Sequence, residues 1–390
     1  MTDTQFAHGV ADFDPAEWDA LAGSDPFLSH AFLAGLERTG CVGYRTGWNP
    51  APVAVRDDGG RLVGAAPLYL KDHSFGEFVF DWGWAGGAQR GGIPYYPKLV
   101  AAVPFSPVTG ARLMVHPDAD GEAVRQRLLA AADELAERFE CGAVQWLFPD
   151  AADQAALEAA GYMGRRDVQF HWHNRGYADF EAFLADFSSS KRKQARKERR
   201  RAAELGFDLV VRHGSEITPA QWAAFYDGYA TTTEMRGAPA YLTQEFFEYL
   251  GHALGDRVVL ISAERDGEIV ASALNLRSDD ALYGRYWSAR EEHDFLHFEL
   301  CFYQGIAYAI AHGLARFEGG AQGEHKVKRG FAPTLTRSAH WIRHPGLREA
   351  VADFLERERP GVAAYAEEAA EHLPFKEGAQ VGGRGAGAGD

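Results

Sequence analysis

The chain has 390 residues, 46% of them hydrophobic and 24% charged, with a formal net charge of −15. That length exceeds one ordinary core and predicts two domains of a globular protein; the negative balance excludes general nucleic-acid binding, DNA above all, but not one local basic patch. No apolar run reaches the ~18 residues of a membrane span. The first fifteen residues lack the basic and apolar regions of a secretory signal, and Cys41, Cys141 and Cys301 stand far apart in apolar surroundings, as reduced core thiols do. The expectation is a cytoplasmic protein.

In chain order the first signal is a repeat. Pro15-Ala16-Glu17-Trp18-Asp19-Ala20 recurs as Pro219-Ala220-Gln221-Trp222-Ala223-Ala224. Phe27-Leu28-Ser29 with Phe32, Leu33 and Leu36 recurs as Tyr241-Leu242-Thr243 with Phe246, Phe247 and Leu250. Val53 to Leu70, two apolar runs around Asp58-Gly59-Gly60, recurs as Val258 to Leu276 around Asp266-Gly267. Apolar run, Asp-Gly, apolar run is a hairpin signal. Helix, helix, hairpin, twice in the same order, predicts two related α/β halves, residues 1–175 and 176–375, with Leu62–Leu70 and Ile269–Leu276 as equivalent strands.

The halves then diverge. Gly86-Gly87 to Gly91-Gly92, with Arg90, reads as a glycine-rich turn able to cradle phosphate, and the Pro and Gly residues of 94–107 exclude a helix there. Helices are expected over 121–139 and 150–160, and strands over 143–148 and 168–174. His171 and His173 share one strand face, but no third metal ligand stands near them, and no metal is expected. Ser188-Ser189-Ser190 caps a helix over 188–205, in which Lys191 to Arg201 holds eight basic residues and one acid. This is a solvated linker helix or an anion site for coenzyme phosphate, RNA or anionic lipid. Helices are expected over 347–359 and 362–372, and residues 376–390 are expected to be disordered.

Between these lies Tyr283 to Pro333, which reads as strand, acidic loop, buried helix (His297 to Gly313), strand and polar glycine loop. Strand, helix, strand is the unit of a parallel pair. The second strand runs out into Glu318-Gly319-Gly320-Ala321-Gln322-Gly323-Glu324-His325-Lys326, too polar for a core.

Several motifs carry a resemblance: Tyr95-Tyr96-Pro97-Lys98-Leu99, His171-Trp172-His173-Asn174, Ser189-Ser190-Lys191-Arg192-Lys193, Leu296-His297-Phe298-Glu299-Leu300 and Phe317-Glu318-Gly319-Gly320 on to Lys326. The sequence resembles the FemAB-like family of N-acyltransferases over nearly its whole length to Pro345. The resemblance implies an α/β fold of two tandem GCN5-related (GNAT-like) acyltransferase domains with mixed central sheets. More distantly it implies similarity to the Fem aminoacyltransferases of peptidoglycan cross-bridges. The implied donor is an acyl-CoA or an aminoacyl-tRNA. The implied acceptor is an amine of a small molecule, lipid or cell-wall precursor, with contact to tRNA or an anionic membrane surface left open. Such folds carry coenzyme A pyrophosphate on an Arg-x-x-Gly-x-Gly turn. Here that turn is Ala289-Arg290-Glu291-Glu292-His293-Asp294, acidic and without glycine.

Acyl transfer to an amine needs a base and an oxyanion donor, and no covalent nucleophile. His325, whose ordinary pKa lies near neutrality, Glu299 in an apolar helix and Glu318 at the strand end are the candidate catalytic residues. Tyr286, Tyr303 and His297 would wall the cleft, and Lys326 or the N–H groups of Gly319–Gly323 would hold the oxyanion. Arg329, Lys98, Lys191, Arg192 and Lys193 complete the binding candidates. The same residues also admit an RNA- or anionic-surface-binding module on a non-catalytic transferase fold.

Overall fold

The computed structural model describes residues 3–235, 237, 239–320 and 323–376; apart from Lys376, the expected tail lies outside them. The repeated opening forms β1 (Asp3–Phe6), α1 (Pro15–Ala22) and α2 (His30–Arg38). Asp14 caps α1 ahead of Pro15, and Trp18 anchors it, its indole N–H donating to the Leu28 carbonyl at 2.8 Å. Next come β2 (Trp48–Pro50), the hairpin β3 (Val53–Arg56) and β4 (Leu62–Ala66), β5 (Leu68–Lys71), α3 (Trp82–Arg90), β6 (Lys98–Ala101), β7 (Met114–Val115), α4 (Gly121–Arg138), β8 (Ala143–Leu147), α5 (Ala151–Ala159) and β9 (Met163–His173). The second half follows with α6 (Phe180–Ala185), the basic α7 (Ser189–Ala203), β10 (Asp208–His213), α8 (Pro219–Met235), α9 (Gln244–Leu254) and the hairpin β11 (Val258–Arg265) and β12 (Glu268–Arg277). Asp266 and Gly267 turn that hairpin with φ of 54° and 83°, as a tight two-residue loop requires. The chain closes with β13 (Ala281–Ala289), α10 (Leu296–Phe298), a π-helical turn (Glu299–Tyr303), α11 (Gln304–Ala311), β14 (Arg316–Glu318), β15 (Ala332–Ile342) and α12 (Pro345–Glu371).

Two compact units result. One comprises Met1–Asp167, Tyr241–Leu250 and Leu335–Ala363, the other Val168–Ala240, Gly251–Thr334 and Ala364–Asp390. In the first, β1-β3-β4-β7 form one sheet, and a second runs β15-β8-β6-β5-β2. In the other unit the order is β10-β11-β12-β13-β14-β9. The repeat is visible in this order: β3, β4 and β7 stand as β11, β12 and β13 do, each followed by a helix and then β8 or β14. Each unit completes its sheet with a strand from the other half of the sequence. Trp172 of β9 pairs with Phe317 of β14, and His340 of β15 with Gln145 of β8, both antiparallel.

Three local expectations change. Leu62–Leu70 is not one strand: Pro67 divides it into β4 and β5, which enter different sheets, so only Leu62–Ala66 matches β12 in position. The supposed glycine turn at 86–92 is helix α3, because Trp84 and Ala88, four apart, seat one face in a core with Tyr95, Ile342, Leu347 and Val351. Gly91 and Gly92 therefore lie at a helix C-terminus, whose carbonyl dipoles repel phosphate. The last two helices are a single helix with Pro360 inside it.

Burial of neutral histidines in this frame sets an acid limit. Burial, opposed by Glu318, leaves His171 titrating at about 4, and burial with Arg165 pushes His340 down to about 3. Both lie below the ordinary histidine value, so between pH 6.5 and their folded pKa values the unfolded chain binds protons that the folded chain refuses. Stability should therefore fall as pH drops below 6.5, by about 2.7 kcal/mol per pH unit at the steepest for two sites. Urea midpoints at pH 7.5 and at pH 5 test this; equal midpoints would remove the buried-neutral assignment.

Candidate active site

The polar residues of the second half gather where β13 and β14 part. Leu274 pairs with Tyr286 but Asn275 with Gly284, so Arg285 is a bulged residue. Parallel pairing with β14 covers only Ala281–Tyr283 against Arg316–Glu318. β13 then runs on to Ala289, beyond its three-residue pairing with β14. Backbone N–H groups beside a strand end can serve as donors for a developing oxyanion.

At the parting point Glu318 is buried and ionised. Burial alone would raise its carboxyl, but His171, Arg285 and Arg316 together hold it below the usual value. Arg285 Nη2 donates to its Oε2 at 3.1 Å and Arg316 Nε to its Oε1 at 3.3 Å, while Arg285 Nη1 also reaches the Glu318 carbonyl. A carboxylate bonded on both oxygens is a fastener between strands, and a poor base. The loop beyond it turns back through a 3₁₀ turn, Glu324–Arg329, which buries Lys326 and Arg329. Lys326 Nζ donates to the Gly320 carbonyl at 2.9 Å. Burial, with Arg285 nearby, pushes Lys326 down to about 7. Its amine is thus poised to exchange a proton near neutral pH.

Glu299 lies in the π turn, a geometry frequent at functional sites. The wider turn brings Gln304 Nε2 to its Oε1 at 2.7 Å, and Arg199 of α7 donates to both oxygens at 3.2 and 3.3 Å. Tyr303 donates to Glu198 of α7 at 2.6 Å, and Glu198 also accepts from Arg329 at 2.8 Å. The expected Glu299–Tyr303 face therefore exists, but each residue serves a different partner. Arg329 in turn donates to the His325 carbonyl at 2.7 Å and lies over the Phe298 ring at 3.5 Å. His325 reaches solvent at one edge, and its ring packs on His297, Phe298 and Phe302 at 5.4 to 6.1 Å. Burial of that face, with Lys326 and Arg329, pushes its pKa down to about 4. His297 stands edge-on to Trp287 at 5.0 Å, and half-buried Tyr286 meets Tyr229 at 5.7 Å.

The structure thus brings together His297, His325, Lys326 and Arg329. It ties Glu299 and Glu318 into separate arginine networks. Ala321 and Gln322, within the expected oxyanion loop, lie outside the described residues. The acidic turn has no glycine to cradle pyrophosphate, and Glu291 is held by His293 at 2.9 Å and Arg265 at 3.5 Å. In α7, Lys191 and Arg192 are half-buried and Lys193 is exposed; Arg192 donates to the Ala185 carbonyl at 3.3 Å. Lys191, Lys193 and Lys197 make no ion pair among the described residues. Sequence reasoning missed Glu198 and Arg199. The signal for Glu198 was present: it is the single acid in the basic run, flanked by Ala195 and Ala202 on one buried stripe.

Lys98 lies in the first unit, within a separate buried cluster. Its ammonium donates to Asp81 at 2.6 Å, Glu77 at 2.8 Å and Ser74 at 2.8 Å. There β6 runs parallel to β8 and antiparallel to β5. Among the described residues no group of three His, Cys, Asp or Glu is set to hold a metal ion, and no helix is long and apolar enough to cross a membrane.

The sequence pattern of the FemAB-like family, described as peptidoglycan biosynthesis/recognition, matches residues 9–377. Among solved structures the chain is similar to FemX, at 14% identity over 89% of this chain and 100% of that one, with a TM-score of 0.55. It is similar to the L-PGS of Bacillus licheniformis, at 12% identity over 83% and 95%, TM-score 0.50. A tandem GNAT protein from the clavulanic acid biosynthesis pathway aligns at 16% identity over 88% and 99%, TM-score 0.46. No curated protein matches. The fold is α/β, with two tandem GNAT-like halves and mixed sheets.

Proposed function

This chain belongs to the FemAB-like family, and on that premise we propose that it is an N-acyltransferase, with its chemistry in the second unit. It moves an acyl or aminoacyl group from an acyl-CoA or an aminoacyl-tRNA to an amine of a small molecule, lipid or cell-wall precursor. The observation that carries this reading is buried Lys326, titrating at about 7 where β13 and β14 part. Neutral Lys326 accepts the proton of the attacking amine. The new N–C bond forms as the bond from the acyl carbon to the donor's sulfur or oxygen breaks. Backbone N–H groups of β13 beyond Tyr283 hold the oxyanion, and Glu318 with Arg285 fixes the strand ends. His325, at about 4, is too weak a base to lead but remains a neutral acceptor beside the site.

The test is transfer itself. Acyl-CoAs and aminoacyl-tRNAs, each with a primary-amine panel, are screened first by thermal shift, since a ligand of the native state raises apparent stability. Amide formation is then read by mass spectrometry. Binding without any amide product from every donor would reject the enzyme reading.

A second reading rests on α7. Lys193 and Lys197, without an ion pair among the described residues, stand on a chain of net charge −15, suited to an RNA backbone or an anionic surface. Replacing Lys191, Lys193 and Lys197 with Ala should weaken binding of the anionic substrate and flatten its salt dependence. Affinity and salt slope that match the unmodified chain would leave α7 as a linker.

A further inference from the structure

Lys71 and Lys98 face each other across β5 and β6, and both are fully buried. The segment 72–81 covers them and supplies Glu77 and Asp81, also buried. Four ionisable side chains in one dry cluster are a costly way to fill space, since apolar side chains of similar volume are often as stable. Their hydrogen bonds are incomplete on the carboxylates and on Lys71, whose ammonium also lies 3.4 Å over the Trp48 ring. Lys98 Nζ binds both carboxylates, Tyr95 and Gln145 add donors to Asp81 Oδ2 at 2.7 and 2.9 Å, and Lys71 donates to the Phe75 carbonyl at 3.1 Å. The other oxygens, Glu77 Oε1 and Asp81 Oδ1, are buried and accept no hydrogen bond; Lys71 approaches the first only to 3.5 Å. What is unfilled on the two carboxylates is acceptor capacity.

We propose that the first unit carries a second binding site, closed by residues 72–81, for a primary ammonium group held between Glu77 and Asp81. An ammonium brings three donors and the charge that matches two carboxylates facing one fixed cation. Burial, against the pull of Glu77, pushes Lys71 down to about 7, so this lysine can give up its proton as the ligand's charge arrives. The cover is built to move and to meet a carbon body. It has no regular structure, Phe78 takes a strained φ of 60°, and Phe75, Phe80 and Trp82 expose 55%, 51% and 45% of their surface. Phe75 and Trp82 pack at 5.0 Å, a face for the chain next to an ammonium. The inference does not use the transferase reading, because amine binding is read at equilibrium without a donor.

The experiment is calorimetric titration of the full chain with phenethylamine and with phenethyl alcohol, which has the same body and no charge. Saturable amine binding is expected, with the alcohol at least about tenfold weaker, and Glu77→Gln and Asp81→Asn each weakening the amine by about 10- to 100-fold. Equal affinity for alcohol and amine, no saturable binding, or unchanged affinity in folded Glu77→Gln would overturn the site and leave a buried water as the filler of those oxygens. Should both variants fail to fold, hydrogen exchange of the unmodified chain decides. Slower exchange within 72–82 on adding phenethylamine supports the site, and protection elsewhere alone, or none, rejects it.

Discussion

Lys326→Met should lower kcat by about 10²- to 10⁴-fold, the usual cost of losing a general base, while leaving the fold intact. The buried ammonium donates a hydrogen bond within its own loop, to the Gly320 carbonyl. Replacing it with an apolar chain of similar length therefore removes a desolvation cost as well as a bond. The pH profile separates chemistry from packing. The free amine is the active form, so kcat/KM should rise with pH through about 7, the folded pKa of Lys326, and level above it. Lys326→Arg keeps the charge and cannot release a proton at these pH values, so it should not restore activity. A Lys326→Met enzyme within about threefold of normal would move the base to His325 or to solvent.

Glu318→Gln should be the most damaging single change to stability. It leaves Arg285, buried to 3% side-chain exposure, and part-buried Arg316 facing an amide in place of a charge. Breaking such a pair from one side costs about 3–5 kcal/mol, a large part of the ~5–15 kcal/mol that holds a domain together. Because the folded Glu318 carboxyl lies below its ordinary value, its contribution is complete above the unfolded pKa and disappears as pH falls through the folded one. Urea denaturation at neutral pH measures the loss. A cost under about 1 kcal/mol would mean that water screens the pair. Removing both partners together, Glu318→Met with Arg285→Met, should recover much of the loss, since no charge is then stranded.

Residues close in sequence were legible where they answered to local forces. Asp14-Pro15 and Thr218-Pro219 start helices by capping, and Thr218 and Gln221 bond each other's backbone as a reciprocal cap requires. Asp266-Gly267 turns a hairpin because its φ values suit few other pairs. The glycines of α3 misled for the same reason: their local preference against helix was overruled by the seating of Trp84 and Ala88 in a core the sequence does not display. The π turn was not legible either, since periodicity at Glu299–Tyr303 fits an ordinary helix; the extra residue appears only where Gln304 and Arg199 share the Glu299 carboxylate.

By itself the sequence determined the two-fold repeat, the parallel strand–helix–strand unit of the second half and the polar loop that ends it, because the helices, strands and turns that make them up are each set by local pattern. Tertiary structure decided the exchange of β9 and β15, the bulge at Arg285, and which charges meet which. Sheet order and ion pairing join residues far apart in the chain. Burial then decided their chemistry. Lys98 is fixed as a cation between Glu77 and Asp81, against the burial that would discharge it, whereas burial with Arg285 nearby brings Lys326 to about 7. The residue type is the same in both; the charges that burial sets beside them differ, Glu77 and Asp81 against Arg285, and no local pattern in the sequence records it.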